Sequence, residues 1–332
     1  MTLLHHALRD AAHRHGDRPA LRAADDEWTF AALEAWSNRM ARRLAELGVG
    51  PGSRVAVMAA NRPEFVVAVH AVSKLGAASV LLNPAWKALE VGHALELTGP
   101  AHAVADGPSA ALLEAAGIGR PYLLDLDDAS STATVDARDG APLSRPGIDS
   151  GAESVLVFSS GTTGLPKAVR HTHASMVAAV GHWKDCLGLG PDDRFQVATP
   201  PSHILGLLNL VTAIATGTTV RLHRRFDLDE ILARIQSERM TLEMAVAPIA
   251  LAMANHADLE NYDLSSLRYI MWGATPVTPV VAEVVTERTG VRWLPAYGAS
   301  ELPVLAANPV DEPDRWRLDS AGRPPRGVEL RV

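Results

Sequence analysis

The chain has 332 residues, 47% apolar and 21% charged, with a formal net charge of −7. That length suits about two domains with a substantial core, and a mildly acidic balance excludes a general basic field for nucleic acid or an anionic membrane. One cysteine, Cys186, excludes an internal disulfide and fits a reducing cytoplasm. No apolar run approaches the roughly 18 residues of a spanning helix, so membrane insertion is not expected. The start Met1-Thr2-Leu3-Leu4-His5-His6 also lacks the basic and apolar regions of an export signal. Among the thirteen histidines, His5, His6, His13, His15, His171, His173 and His182 have no companion cysteines, and they read as solvated or capping side chains.

Taken in order, residues 3–15 place Leu4, Ala7, Leu8 and Ala11 on one helical face and stop at Gly16. Ala20–Ala23 suits a short strand. Thr29 then caps a helix carrying Leu33, Trp36, Met40, Leu44 and Leu47, which Gly48 ends. Val55-Ala56-Val57-Met58 reads as a buried strand, and Pro63 opens a helix whose apolar run Phe65–Leu75 ends at Gly76. The alternation continues through Ala78–Leu82, Trp86–Leu97, Ala101–Ala105, Ala110–Ala116 and Tyr122–Leu126. Such alternation implies parallel strands with helices on both faces. Residues 127–150 turn polar and read as a loop or linker.

A strand at Val155-Leu156-Val157-Phe158 restarts the alternation. It is followed by a helix at about 172–187, a strand at Arg194–Ala198 and a helix at Gly206–Ala215. Next come a strand at Thr218–Leu222, a helix capped by Asp227, a strand at Glu243–Ala247 and a helix from Pro248 to about Asn255. Strands at Leu267–Trp272 and Val291–Leu294 flank a last helix, Pro279–Arg288. The fold class expected is α/β with two doubly wound subdomains, 1–150 and 151–320, and residues 321–332 leading onward. No short repeat period suggests a solenoid.

The densest chemistry lies in Ser159-Ser160-Gly161-Thr162-Thr163-Gly164-Leu165-Pro166-Lys167, directly after that restarting strand. A polar loop at a strand's carboxyl end sits where open α/β sheets bind ligands. Glycines admit close backbone approach, and N–H groups, hydroxyls and an ammonium can all meet phosphate oxygens. A Walker A loop is excluded because Pro166 precedes and Ala168 follows the lysine. The run resembles the signature phosphate loop of the adenylate-forming superfamily, which contains acyl-CoA synthetases, luciferases and nonribosomal-peptide adenylation domains.

Three further segments carry the resemblance in the same order. Pro201-Ser202-His203-Ile204-Leu205-Gly206 resembles the family's histidine motif, which implies His203 at the acid pocket near the thioester tunnel. Ser202 stands where relatives commonly have an aromatic residue, which would open the pocket wall. Trp272-Gly273-Ala274-Thr275-Pro276 is similar to the loop along the adenine edge. Trp272 replaces a small residue there, and a side chain pointing at the acid would shorten the pocket. Tyr297-Gly298-Ala299-Ser300-Glu301 resembles the family's Tyr-Gly-x-Thr-Glu motif. By that resemblance Tyr297 stacks on adenine, Gly298 borders the substrate, the Ser300 hydroxyl meets the α-phosphate and Glu301 ligates Mg²⁺. Leu82-Asn83-Pro84 and residues 261–268 read as scaffold, the latter similar to the branch of hydroxycinnamate–CoA ligases.

The resemblance implies ATP-dependent activation of a small-molecule acid, compact or aromatic, to an acyl adenylate, with CoA or a carrier protein as acceptor. Lys167, His203, Ser300 and Glu301 are the expected catalytic set, with ATP and Mg²⁺ as cofactors. Gly322-Arg323-Pro324 and Gly327-Val328-Glu329 resemble the approach to the family's small β-barrel, and no ribose aspartate or lid lysine can be assigned. The expectation is therefore an N-terminal fragment with the barrel only begun, the lid absent and poor turnover alone. Two other readings stay open: a nucleotide- or acyl-binding module without chemistry, and activation of another oxyanion such as nitrite.

Overall fold

The computed structural model describes residues 1–143, 147–159 and 164–331. The chain opens with α1 (His6–His15), β1 (Pro19–Ala23), β2 (Asp26–Thr29) and α2 (Phe30–Glu46). Thr29 caps α2 as expected, its hydroxyl accepting the Ala32 N–H at 3.2 Å. There follow β3 (Arg54–Met58), α3 (Pro63–Lys74), β4 (Ala78–Leu81), α4 (Ala88–Thr98), β5 (His102–Ala105), α5 (Gly107–Ala115) and β6 (Leu123–Asp125). Residues 127–150, expected as a loop, contain α6 (Ala129–Asp136), whose cap is Asp128 and whose Val135 is buried against the α2 side of the core.

After β7 (Glu153–Ser159) the chain returns along β8 (Lys167–Thr172) before α7 (His173–Leu187). β7 and β8 are thus antiparallel neighbours, with Ser159 opposite Lys167, where the sequence pointed to a helix after β7. The remainder is β9 (Arg194–Val197), α8 (Ile204–Thr216), β10 (Thr219–Leu222), α9 (Leu228–Glu238), β11 (Leu242–Ala245) and α10 (Ala247–Ala254). It closes with β12 (Tyr269–Trp272), α11 (Pro279–Thr289), β13 (Trp293–Tyr297) and the two-residue β14 (Ala306–Ala307). Residues 321–331 add only the bridge between Ala307 and Arg323.

Two sheets result, a six-stranded one ordered β6-β5-β3-β4-β7-β8 and an eight-stranded one ordered β14-β13-β12-β11-β9-β10-β1-β2. The N-terminal β1 and β2 sit in the sheet built mainly from the second half, with β1 parallel to β10. β7 and β8 join the first-half strands. The sheets therefore do not divide the chain at residue 150.

Strand alternation sorts the cores. Val55 and Val57 of β3, like Tyr269 and Met271 of β12, face one large cluster with α1, α2, α3, α7 and α8. Their neighbours Ala56 and Met58 face α4 and α5, while Ile270 and Trp272 face α9, α10 and α11. The central helices are consequently covered by a sheet on either side, which is why α3 is buried all round from Phe65 to Lys74, His70 and Lys74 included. Among the described residues no helix is long and apolar enough to cross a membrane.

Candidate active site

The candidate residues gather where β7, β9, β12 and β13 end, beside the seam between the two sheets. A cavity of about 200 Å³ is lined by Trp183, His203, Ile204, Leu205, Leu208, Gly273, Ala274, the segment 296–300 and Pro303. A second, of about 610 Å³, has one wall of Asn83, Trp86, Phe158, Ser159, Gly164 and Pro166. Its other wall is Thr199, Pro200, Ser202, Val246, Pro248 and Thr275. His203, Leu205 and Ala274 line both, so the two cavities meet at the imidazole.

His203 is held by its own helix. It is the N-cap of α8, and Nδ1 accepts the Leu205 N–H at 3.3 Å. A ring nitrogen that accepts carries no proton, so the neutral ring has its hydrogen on Nε2. Loss of surrounding water pushes the pKa of His203 below its ordinary value. The junction of the cavities therefore presents a neutral N–H donor, suited to a carboxylate. Gly206 is required by the turn that aims this ring: a Cβ there would lie 2.2 Å from the Pro200 carbonyl oxygen. Ser202 is buried and lines the larger cavity.

The loop after β12 is locked and strained. Thr275 Oγ1 accepts the Ala247 N–H at 3.1 Å and the Trp272 Nε1–H at 3.2 Å. Ala274 has φ of +64°, left-handed backbone that costs a residue with a Cβ about 1–3 kcal/mol. Gly273 and Ala274 line the smaller cavity and Ala274 and Thr275 the larger, while Pro276 lines neither. Trp272 does not wall the pocket, contrary to expectation. It is 1% exposed, packs on Trp293 with ring centroids 5.2 Å apart, and belongs to the core under α10 and α11.

At the end of β13, Tyr297 is 55% exposed and lines the smaller cavity together with Gly298 and Ser300. The loop folds tightly back, with Ala299 N–H donating to the Leu302 carbonyl at 3.0 Å and Leu305 N–H to that of Tyr297 at 2.9 Å. Glu301, next to Ser300, is exposed and makes no ion pair among the described residues. An exposed carboxylate can take a hard cation. A site with one protein carboxylate fits Mg²⁺, whose other positions phosphates and water commonly fill. Among the described residues no group of three or more His, Cys, Asp and Glu side chains is placed to hold a metal ion by itself.

Lys167 is exposed at the start of β8, and Ser159 and Gly164 reach the larger cavity; Ser160, Gly161, Thr162 and Thr163 lie outside the described residues. Two histidines read as ordinary turn out otherwise. His171 on β8 is 3% exposed, and its Nε2–H donates to the Ser300 carbonyl at 2.8 Å. Burial lowers its pKa, opposed by that carbonyl and by Glu301 nearby. His173 is fully buried, its Nδ1 accepting the Leu4 N–H at 3.2 Å. Recognising β8 as a strand would have exposed His171, since it shares a face with Lys167.

The AMP-binding enzyme family profile matches residues 8–332. The 4-coumarate–CoA ligase 2 of Oryza sativa subsp. japonica is 32% identical over 347 residues, covering 95% of this chain and 61% of that protein. The 2-succinylbenzoate–CoA ligase of Bacillus subtilis (strain 168) is 31% identical over 325 residues, 98% of this chain and 64% of the relative. The chain thus spans under two thirds of the length of these curated relatives. In fold, it matches the anthranilate CoA ligase AuaEII in complex with anthranoyl-AMP at a TM-score of 0.91 and 22% identity, over 99% of this chain and 65% of that one. The inhibitor-bound N-terminal domain of FACL13 from Mycobacterium tuberculosis matches at 0.89 and 24%, over 98% and 83%.

Proposed function

The chain belongs to the AMP-binding enzyme family, and from this we propose that it carries the nucleotide and acid sites of an adenylate-forming acyl-CoA ligase. The observation that supports this most directly is the meeting of two cavities at His203, with Ser300 on the wall of one and Ser159 on the wall of the other.

A carboxylic acid in the smaller cavity has its carboxylate held by His203 Nε2–H. One of its oxygens attacks the α-phosphorus of ATP, the bond from that phosphorus to the bridging oxygen breaks, and pyrophosphate leaves. Positioning and charge neutralisation supply most of such a barrier reduction. Tyr297 and the 273–276 loop flank adenine, the Ser300 hydroxyl meets the α-phosphate, and Thr162, Thr163 and Lys167 hold the outer phosphates. Glu301 would hold Mg²⁺, which offsets the charge of the departing pyrophosphate. The larger cavity reaches the same imidazole and leaves an approach for the thiol of CoA or a carrier protein. The lone cysteine, Cys186, fits a reducing cytoplasm as the place of this reaction.

Curated relatives act on 4-coumarate and 2-succinylbenzoate. A cavity of about 200 Å³ walled by Trp183, Leu205 and Leu208 suits a similar ring-bearing or short acid. The test is acid-dependent ATP–pyrophosphate exchange with a panel of aryl, short and long acids, repeated with Glu301→Gln. Aryl or short acids should lead, and the variant should lose about 3–4 kcal/mol of barrier stabilisation. Palmitate outperforming both classes, or a fully active Glu301→Gln, would count decisively against this reading.

A further inference from the structure

We propose that His171 is a positioning residue that locks the Ser300–Glu301 loop to the β7–β8 pair. The proposal rests on the functional reading above, because it assigns His171 a part in that same site.

The two loops belong to different sheets. β8 is the edge of the six-stranded sheet, and the Ser300–Glu301 segment follows β13 of the eight-stranded one. The His171 Nε2–H to Ser300 carbonyl bond, 2.8 Å long, crosses that seam between residues 129 apart in sequence. Residues 167, 169 and 171 alternate onto one face of β8, so the face that presents Lys167 also presents His171. The far end of the strut is tied as well: His93 on α4 donates Nε2–H to the Pro166 carbonyl at 3.0 Å.

The carbonyl that His171 holds lies in the peptide joining Ser300 to Glu301. A tilt of that peptide moves the hydroxyl expected at the α-phosphate and the carboxylate expected at the cation together. His171 is buried, so water cannot readily replace the bond when it is lost. A displacement near 1 Å of groups so placed can cost about a hundredfold in turnover. The imidazole thus sets the spacing between the phosphate-loop lysine and the other two groups without touching substrate.

The test compares the whole chain with His171→Leu, which removes the donor, and His171→Gln, whose Nε2–H can take its place. Calorimetric affinity for a non-hydrolysable ATP analogue is measured with and without Mg²⁺, alongside exchange kinetics and melting. For His171→Leu, melting should fall modestly because the Ser300 carbonyl loses its buried donor, Mg²⁺-free affinity should stay near wild type, and the Mg²⁺-dependent gain should largely vanish. Its kcat should fall roughly ten- to a hundredfold with little change in KM for the acid. His171→Gln should recover both. If His171→Leu does not fold, His171→Asn, too short to reach the carbonyl, replaces it against His171→Gln.

Wild-type behaviour in the donor-free variant would overturn the proposal, as would equal damage in His171→Gln. A wild-type chain that exchanges with no acid overturns the functional reading alone, since the Mg²⁺-dependent affinity still decides the latch. A wild type without that Mg²⁺-dependent gain overturns both.

Discussion

Gly298→Ala should damage the smaller cavity and the stability of the chain, whereas Gly273→Ala, in the same cavity wall, should leave stability unchanged. A Cβ on Gly298 would lie 2.0 Å from the Pro303 carbonyl oxygen and 2.8 Å from its carbon. Contacts under 3.0 Å are not tolerated, so the loop must open by at least about 1 Å. Backbone bonds from Ala299 to Leu302 and from Leu305 to Tyr297 resist that opening, and Val304 is anchored at 1% exposure. Overpacking of this kind costs about 1–3 kcal/mol. Because Ser300 rides on the loop that must move, turnover should fall by about a hundredfold. A Cβ on Gly273 meets nothing closer than the Ala296 oxygen at 3.9 Å. Denaturant unfolding of both variants, with titration of an acyl-adenylate analogue, reads the two effects separately. Unchanged stability and affinity in Gly298→Ala, or equal destabilisation by Gly273→Ala, would refute the steric reasoning.

Three further outcomes follow from buried groups. Burial pushes His70, on α3, down to about 4, so the folded state resists a proton that the unfolded chain accepts near pH 6.5. Its contribution is complete above that pH and lost as pH falls toward 4, on the order of 3 kcal/mol. Denaturant midpoints should therefore drop across that window, and His70→Leu should flatten the slope; an unaltered slope would sink the assignment. Glu243 runs the opposite way: burial raises its carboxyl to about 8, so its stability contribution is present below the ordinary carboxylate range and lost as pH rises toward 8. Glu243→Gln should gain stability over wild type at pH 8 more than at pH 5, and thermal melts that move in parallel at both would contradict this. Trp272→Phe should cost on the order of 1–3 kcal/mol through lost packing and the lost bond to Thr275. It should leave the ranking of acids unaltered, and a changed ranking would return Trp272 to the pocket wall.

What the sequence determined by itself was the alternation of strand and helix and the attachment of the key motifs to strand ends. Apolar runs, caps such as Thr29 and Asp227, and turn glycines act within a few residues of one another. The missed elements are those whose stability comes from elsewhere in the chain. β8 reads Lys-Ala-Val-Arg-His-Thr, with no apolar stripe, and is a strand because β7 supplies its ladder. α6 has almost no amphipathic character and is held by the Asp128 cap and the packing of Val135.

The direction of Trp272 was equally undecidable locally, since both faces of β12 are apolar and only the helices packed on each side distinguish them. Tertiary structure alone carried β1 and β2 into the eight-stranded sheet and brought His171 under Ser300. Those contacts join residues far apart in sequence, where neither propensity nor periodicity reaches. The sequence thus determined which groups stand at the strand ends, and the packing of two sheets around a shared helical layer decided which of them meet.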